Sequence, residues 1–91
     1  IHVGDACTPP DCESAGGHLD LAGCEHPRHA GDLPPLFGCG GDAYLSVLTD
    51  RFAVPDILGR SVVIHQDPDD FVTQPSGHAG ARIGCGVIRA F

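Results

Sequence analysis

Glycine and proline interrupt this chain so often that only short segments of regular secondary structure can form. The 91 residues contain 13 glycines and 8 prolines, and in residues 1–35 one or the other recurs every few positions, which predicts long loops. Methionine and tryptophan are absent and aromatic residues make up only 5%, so the core must come from Val, Ile, Leu and Ala, a composition that favours strands. A chain of this length forms a single domain, here residues 1–91, with a small core.

Alternating apolar residues and β-branched runs indicate where the strands lie. The predicted strands are 43–49 (AYLSVLT), 61–65 (SVVIH) and 81–88 (ARIGCGVI). The CGGD sequence at 39–42 is typical of a turn, and LPPLF at 33–37 is the expected edge-strand partner in a hairpin. Gly84 and Gly86 predict a bulge or a close approach by another backbone, and a helical turn is expected at Pro55–Leu58. Short strands joined by polar loops predict an all-β sandwich or barrel.

Charge and cysteine content restrict the partners and the compartment. The net charge of −7, with five arginines and no lysine, argues against nucleic acid or an anionic membrane as the main partner. No apolar run is long enough to form a transmembrane segment. Five cysteines indicate metal binding or an oxidising, extracellular or periplasmic location, that is, a secreted protein. The odd number leaves at least one thiol without a partner in the chain unless it binds metal or another chain.

The densest group of metal-binding residue types lies in GGHLDLAGCEHPRHAGDLPP, residues 16–35. Its members are His18, His26, His29 and Asp32. Three imidazoles and one carboxylate complete a four-coordinate set for zinc, and imidazole also suits copper. Pro27 and Gly31 favour a loop, which can wrap around a metal ion, over a helix.

Spacing alone leaves two other interpretations of this loop open. Isolated histidines are most often solvated surface residues or hydrogen-bonded core residues, in which case no metal is bound. The other interpretation is a structural zinc site formed by Cys24, His26, His29 and either Cys7 or Cys12. The absence of a C-x-x-C pair argues against this second site.

Several stretches of the chain occur in the order in which the copper/zinc superoxide dismutases carry them. These stretches are SAGGHLD, HAGDLPP, GRSVVIH, DPDDF and SGHAGARIGCGVI. The chain therefore resembles that family from Ile1 almost to Phe91, and His29–Leu33 and Gly80–Ile88 correspond to family signatures. The resemblance implies a Greek-key β-barrel whose two long loops form a metal site outside the barrel wall. Residues 1–91 would be the C-terminal portion of that fold, without its first strands.

The resemblance also implies the residues of the site. The implied copper ligands are His2, His18 and His65. The implied zinc ligands are His18, His26, His29 and Asp32. Asp69 resembles the carboxylate that links the copper and zinc histidines by hydrogen bonds. Catalytic roles are implied for His18, as the imidazolate that bridges both metals and carries a proton, and for Arg82, which attracts the anionic substrate beside copper.

A disulfide to Cys85 is a further implication of the resemblance. In the family, the cysteine of the last strand pins the loop that leads to the bridging histidine. Cys7 fits the bacterial type of spacing and Cys12 the eukaryotic type; we expect Cys7 as the partner, with Cys12 as the alternative. Cys24 and Cys39 receive no role from the resemblance.

Two features depart from the family pattern. His26 and His29 are far closer in sequence than the corresponding zinc ligands usually are, so two arrangements stay open: both reach the metal, or only one does. The chain also begins one residue after the position of the first histidine of the family's H-x-H copper pair, of which His2 is the second. We therefore expect these residues to be part of a longer protein. The alternative is a chain completed by a homo-oligomer or another chain at an exposed sheet edge.

The resemblance predicts a function that can be stated as a reaction. Superoxide would be converted to dioxygen and hydrogen peroxide at a copper site supported by zinc. The alternative is a non-catalytic metal-binding module of the copper-chaperone type, which the missing first copper histidine favours. A third interpretation is a secreted, disulfide-stabilised domain in which the histidines are incidental.

Overall fold

Short strands and long loops make up residues 1–91, all of which the computed structural model describes. The elements are a 3-10 turn at Glu13–Ala15, strands β1 (Gly38–Cys39) and β2 (Asp42–Ala43), helix α1 (Val54–Ile57), and strands β3 (Ser61–His65) and β4 (Arg82–Val87). The all-β class is confirmed, because the only α-helix is a single turn. The strands form two separate antiparallel pairs, and four short strands are too few to close a barrel.

The pair β3–β4 is the main sheet and confirms two of the predicted strands. Ser61 lies opposite Val87 at one end, and His65 lies opposite Arg82 at the other. The register shifts between Ile64 and His65, so β4 carries a bulge, which bends a strand and changes the direction of its side chains. The expected bulge is therefore present. It lies at the end of the sheet where His65 and Arg82 are paired.

The prediction of a strand over 43–49 is wrong. β2 contains only Asp42–Ala43 and pairs with Gly38–Cys39, not with the 33–37 segment. The turn between them, Gly40–Gly41, is where the CGGD sequence predicts one. Beyond Ala43 no neighbouring backbone is available to form a ladder, and Leu48 is 98% exposed. The 33–37 segment forms no backbone hydrogen bonds with residues 44–49, and its two prolines reduce the number of N–H groups that it could donate.

His2 connects the main sheet to the long first loop. Its N–H donates to Ser61 O at 2.7 Å, and His2 forms isolated bridges with both Ser61 and His18. Ser61 is completely buried and its hydroxyl donates to Gly4 O at 2.7 Å. These bonds align the segment around His2 with β3 on one side and with the loop carrying His18 on the other.

The hydrophobic core is small and lies beside this connection. It comprises Ile1, Leu19 and Ala30, packed against Leu33, Phe52, Ile57 and Ile88. Only 12 of the 91 residues are buried, and four of these are polar: His2, His26, His29 and Ser61. Burial is therefore concentrated around the histidines and not around a large apolar core. None of the helices combines the length and the apolar character required to cross a membrane.

Of the two alternatives predicted for Gly84 and Gly86, the structure has the bulge in β4 and no close backbone approach; a close approach occurs instead at Gly4. A Cβ atom at Gly84 or Gly86 would meet nothing within 4 Å. At Gly4 it would overlap the backbone of Ser14 and Ala15, and Gly4 N–H donates to Ala15 O at 2.7 Å. The absence of a side chain at Gly4 thus lets the segment after His2 pack on the loop before His18.

We expect Gly4→Ala to lower the free energy of unfolding by about 1–3 kcal/mol, because rigid backbone has to move to accommodate the methyl group. Gly86→Ala is the matched control, with an expected change within about 0.5 kcal/mol because its methyl group faces open space. Urea denaturation of both variants measures the difference. Equal losses in the two variants would contradict the packing described here.

Candidate metal centre

The Asp32 carboxylate is surrounded by three imidazoles. Its Oδ1 lies 3.0 Å from His18 Nδ1, and its Oδ2 lies 3.2 Å from His26 Nδ1 and 3.0 Å from His29 Nδ1. One ligand atom from each of the four side chains falls within 4.8 Å of all the others. We call these four residues the Asp32 group; three imidazoles and a carboxylate are a donor set typical of zinc.

Local hydrogen bonds explain how the loop brings His29 and Asp32 together. The His29 N–H donates to Asp32 Oδ2 at 3.0 Å, and the Asp32 N–H donates to His29 O at 3.1 Å. This tight turn directs both side chains to the same point. His26, although only three positions before His29, is also placed in the Asp32 group, so of the two arrangements left open by its short spacing the structure has the one with both imidazoles present.

His26 shows that the Asp32 group suits a cation. Its Nε2 lies 2.8 Å from Asp69 Oδ1, so this nitrogen carries the proton that the carboxylate accepts, and in the neutral ring Nδ1 keeps its lone pair. That Nδ1 is buried and has no hydrogen-bond partner. A buried unpaired acceptor is costly, and a zinc ion bound in the group would provide the missing partner.

A second group comprises His2, His18 and His65, which we call the copper-type group. Ligand atoms of the three rings lie within 4.8 Å of one another. His2 Nδ1 donates to Gly16 O at 2.7 Å, and His65 Nδ1 donates to Gly80 O at 3.2 Å. With Nδ1 carrying the proton, the neutral form of such a ring has its lone pair on Nε2, and the two Nε2 atoms lie 3.4 Å apart.

Two lone pairs at this separation cannot hydrogen-bond to each other, whereas a cation between them would be attracted to both. Burial lowers the pKa of His2 to about 4, so the ring is neutral near pH 7 and can act as a ligand. Imidazole donors of this kind suit copper. The copper-type group therefore also fits a metal ion.

His18 belongs to both groups. Its ring centre lies 4.8 Å from that of His2 and 5.3 Å from that of His29. Burial is the main cause that lowers its pKa, while the nearby Asp32 carboxylate acts in the opposite direction. The neutral ring has a lone pair on only one nitrogen, so His18 would have to lose its remaining N–H proton, as an imidazolate, to serve as a ligand in both groups.

A cleft of about 450 Å³ leads to the copper-type group, whose three histidines line it together with Arg82. The Arg82 Nη1 donates to Cys12 O at 3.0 Å, which holds the guanidinium at the cleft. The arginine is half-buried, so its positive charge is only partly screened by water. An anion entering the cleft would meet this charge next to the three imidazoles.

The disulfide joins Cys7 and Cys85, which confirms the expected pairing. It ties the loop that follows His2 to β4, the strand that carries Arg82. Cys12, the alternative partner, is a buried free thiol, while Cys24 and Cys39 are also free. Cys24 lies outside both histidine groups, so the alternative structural zinc site with Cys24 is not formed.

Two side chains that support the Asp32 group were not predicted from the sequence. Gln74 Oε1 accepts the His26 N–H at 2.8 Å, and Gln74 Nε2 donates to His26 O at 2.7 Å. Arg51 Nη1 donates to Pro27 O at 2.9 Å and to His29 O at 3.2 Å. Both residues are distant in sequence from the loop they hold, and no local pattern marks either of them.

These features define an all-β protein in which two adjoining groups, sharing one histidine, could each hold a metal ion. The family model described as "Copper/zinc superoxide dismutase (SODC)" matches residues 1–88. The chain belongs to the copper/zinc superoxide dismutase family, whose metals are copper and zinc.

Three similar proteins, two of them named as copper/zinc superoxide dismutases, support this membership. A "Superoxide dismutase [Cu-Zn]" of Caulobacter vibrioides is 37% identical over 98% of this chain and 61% of its own length. A "Superoxide dismutase [Cu-Zn] 2" of Aquifex aeolicus is 36% identical over 98% of this chain and 61% of its own length. A "Superoxide dismutase-like protein YojM" of Bacillus subtilis is 36% identical over 97% of this chain. The match spans 53% to 61% of the length of these three relatives.

We expect Asp69→Asn to weaken zinc binding about 10- to 100-fold, because the oxygen that accepts the hydrogen bond from His26 Nε2 loses the negative charge that orients the ring and raises its basicity. The asparagine keeps an oxygen that can accept the Phe71 N–H, so the local turn is retained. Competition with a chromophoric zinc chelator measures the affinity.

The control for this experiment is Asp42→Asn, which removes the same charge from the exposed strand β2. It should leave zinc affinity unchanged. Equal affinities for the Asp69 and Asp42 variants would show that Asp69 does not orient His26 for metal binding.

Proposed function

We propose that this chain carries the copper and zinc centre of a superoxide dismutase, which converts superoxide to dioxygen and hydrogen peroxide. The observation that supports this function most directly is the shared position of His18, which belongs to the copper-type group and to the Asp32 group. Relatives named as copper/zinc superoxide dismutases support the same reaction.

The proposed metal ligands follow from the two groups. Copper would be held by His2, His18 and His65. Zinc would be held by His18, His26, His29 and Asp32. Asp69 would act by orienting His26, and the carbonyls of Gly16 and Gly80 would orient His2 and His65 by accepting their Nδ1 protons.

His18 is proposed to supply a proton as well as a ligand atom. Bound copper would supply the one-electron redox chemistry of the reaction. His18 Nδ1 faces the Asp32 carboxylate at 3.0 Å, which leaves Nε2 as the nitrogen for the copper-type group. As an imidazolate, His18 would have a lone pair on Nε2 that can take up a proton and donate it to the reduced, more basic substrate.

Arg82 is proposed to bring superoxide into the cleft. The net charge of −7 repels an anionic substrate over most of the surface, so a local positive field is needed at the site. Arg82 lines the same cleft as the three copper-type histidines. Its guanidinium would attract the anion and position it next to them.

The second candidate function is a metal-binding module without catalytic activity. The copper-type group favours it, because this group contains three imidazoles and not the first histidine of the family's copper pair. The relative named as dismutase-like, and not as a dismutase, also favours it. For both candidates we propose an oxidising, extracellular or periplasmic location, because a disulfide links Cys7 to Cys85.

Metal content and superoxide dismutation, measured on the same protein loaded with copper and zinc, distinguish the candidates. The proposed function predicts about one copper and one zinc per chain and a dismutation rate that is lost when copper is removed with a chelator. Bound copper without dismutation would favour the binding module. Absence of both metals after loading would contradict both candidates.

We expect Arg82→Glu to lower the dismutation rate at low salt by about tenfold or more, because the variant removes the attractive charge and adds a repulsive one. Arg82→Lys, which keeps the charge, should retain most of the rate. Arg89→Glu, the same charge change at an exposed position, is the control and should have little effect. A similar rate for the Arg82→Glu and Arg89→Glu variants would exclude a steering role for Arg82.

A further inference from the structure

Three sulfur atoms lie together outside the histidine groups. The Sγ atoms of Cys7, Cys12 and Cys85 all lie within 4.8 Å of one another. Cys7 and Cys85 form the disulfide, and Cys12 is a free thiol that is only 3% exposed. A thiol this close to a disulfide meets the distance requirement of thiol–disulfide exchange, since the attacking sulfur has to reach one of the bonded sulfurs.

We propose that this three-sulfur cluster is an intramolecular exchange site, in which Cys12 replaces Cys7 as the partner of Cys85. When the exposed turn at residues 8–11 opens and admits water, the Cys12 thiol loses its proton to solvent, and the thiolate attacks Cys85 Sγ. The Cys12–Cys85 bond forms while the Cys7–Cys85 bond breaks, and the electron pair leaves on Cys7 Sγ, which then takes up a proton. One disulfide replaces another, so no external oxidant or reductant is consumed.

Chain entropy does not favour either disulfide. Cys7 and Cys85 are 78 residues apart, and Cys12 is only five positions closer to Cys85. Because the entropy of loop closure depends on the logarithm of loop length, this difference is negligible. The choice between the two pairings therefore depends on local geometry in the segment between Cys7 and Cys12.

That segment has features that permit it to move. Thr8 to Asp11 are all exposed, and the Cys12 N–H donates to Thr8 O at 3.1 Å to close a short turn. A change in pairing would rearrange a surface turn without opening the core.

The exchange would affect the metal cleft through Arg82. Cys12 O is the acceptor that holds the Arg82 guanidinium, and Arg82 is three positions before Cys85 on β4. A bond from Cys12 to Cys85 would displace the carbonyl that positions this arginine. The effect on activity rests on the proposed function, whereas the exchange itself does not.

Digestion with endoproteinase Asp-N, which cleaves before aspartate, separates all five cysteines. Cys7 falls in Asp5–Pro10, Cys12 in Asp11–Leu19 and Cys85 in Asp70–Phe91, with Cys24 and Cys39 in two further peptides. The protein is incubated at mildly alkaline pH without oxidant, trapped with acid, alkylated and digested, and the linked peptides are identified by mass spectrometry.

We expect the Asp11–Leu19/Asp70–Phe91 pair to appear during incubation while the number of free thiols stays at three. In Cys7→Ser protein equilibrated in a glutathione redox buffer, Cys12 should form the disulfide with Cys85. In Cys12→Ser protein only the Cys7–Cys85 pair should form, and Cys24→Ser is the control that should leave the exchange unchanged.

Two results would overturn the proposal. One is a wild-type protein that shows only the Cys7–Cys85 pair after incubation. The other is Cys7→Ser protein in which Cys85 is recovered in alkylated form, and so was still a free thiol, or pairs with Cys24 or Cys39 as often as with Cys12. All of these measurements use peptide masses and need neither metal nor activity. Failure of the exchange can therefore be distinguished from failure of the proposed dismutase function.

Discussion

The contact of one carboxylate with three imidazoles is the constraint on which the rest of this site depends. An oxygen of Asp32 lies within 3.2 Å of a ring nitrogen of each of His18, His26 and His29. These contacts hold together the loop of residues 16–35, which has almost no regular secondary structure. A carboxylate enclosed by imidazoles, beside the buried and unpartnered Nδ1 of His26, is an unfavourable arrangement unless a positive charge lies among these groups. A bound cation resolves this conflict, which is why the geometry indicates a metal centre more strongly than a hydrogen-bonded core.

The main sheet places the second group beside the first. His65 and Arg82 face each other at the end of β3–β4, while the bridge between His2 and His18 brings the first loop to that end. The Gly16 and Gly80 carbonyls select which nitrogen of His2 and His65 remains free. Burial keeps His2 and His18 neutral, so the same packing that excludes water also prepares these rings as ligands.

The parts that could be predicted from sequence are those determined by local pattern. The strands at 61–65 and 81–88 follow from β-branched runs and alternation, and the ligand types of the Asp32 group are concentrated in one short loop. The strand expected at 43–49 fails because a strand needs a neighbouring backbone, which no local pattern can guarantee. Gln74 and Arg51 escaped prediction for a related reason, since their contacts with the loop join residues 48 and 22 positions apart.

Anomalous diffraction at the copper and zinc absorption edges, from crystals of the protein loaded with both metals, tests the central claim most directly. The account predicts two peaks, one in the copper-type group and one in the Asp32 group, with His18 in contact with both. A single peak, or two metal sites that do not share His18, would contradict it.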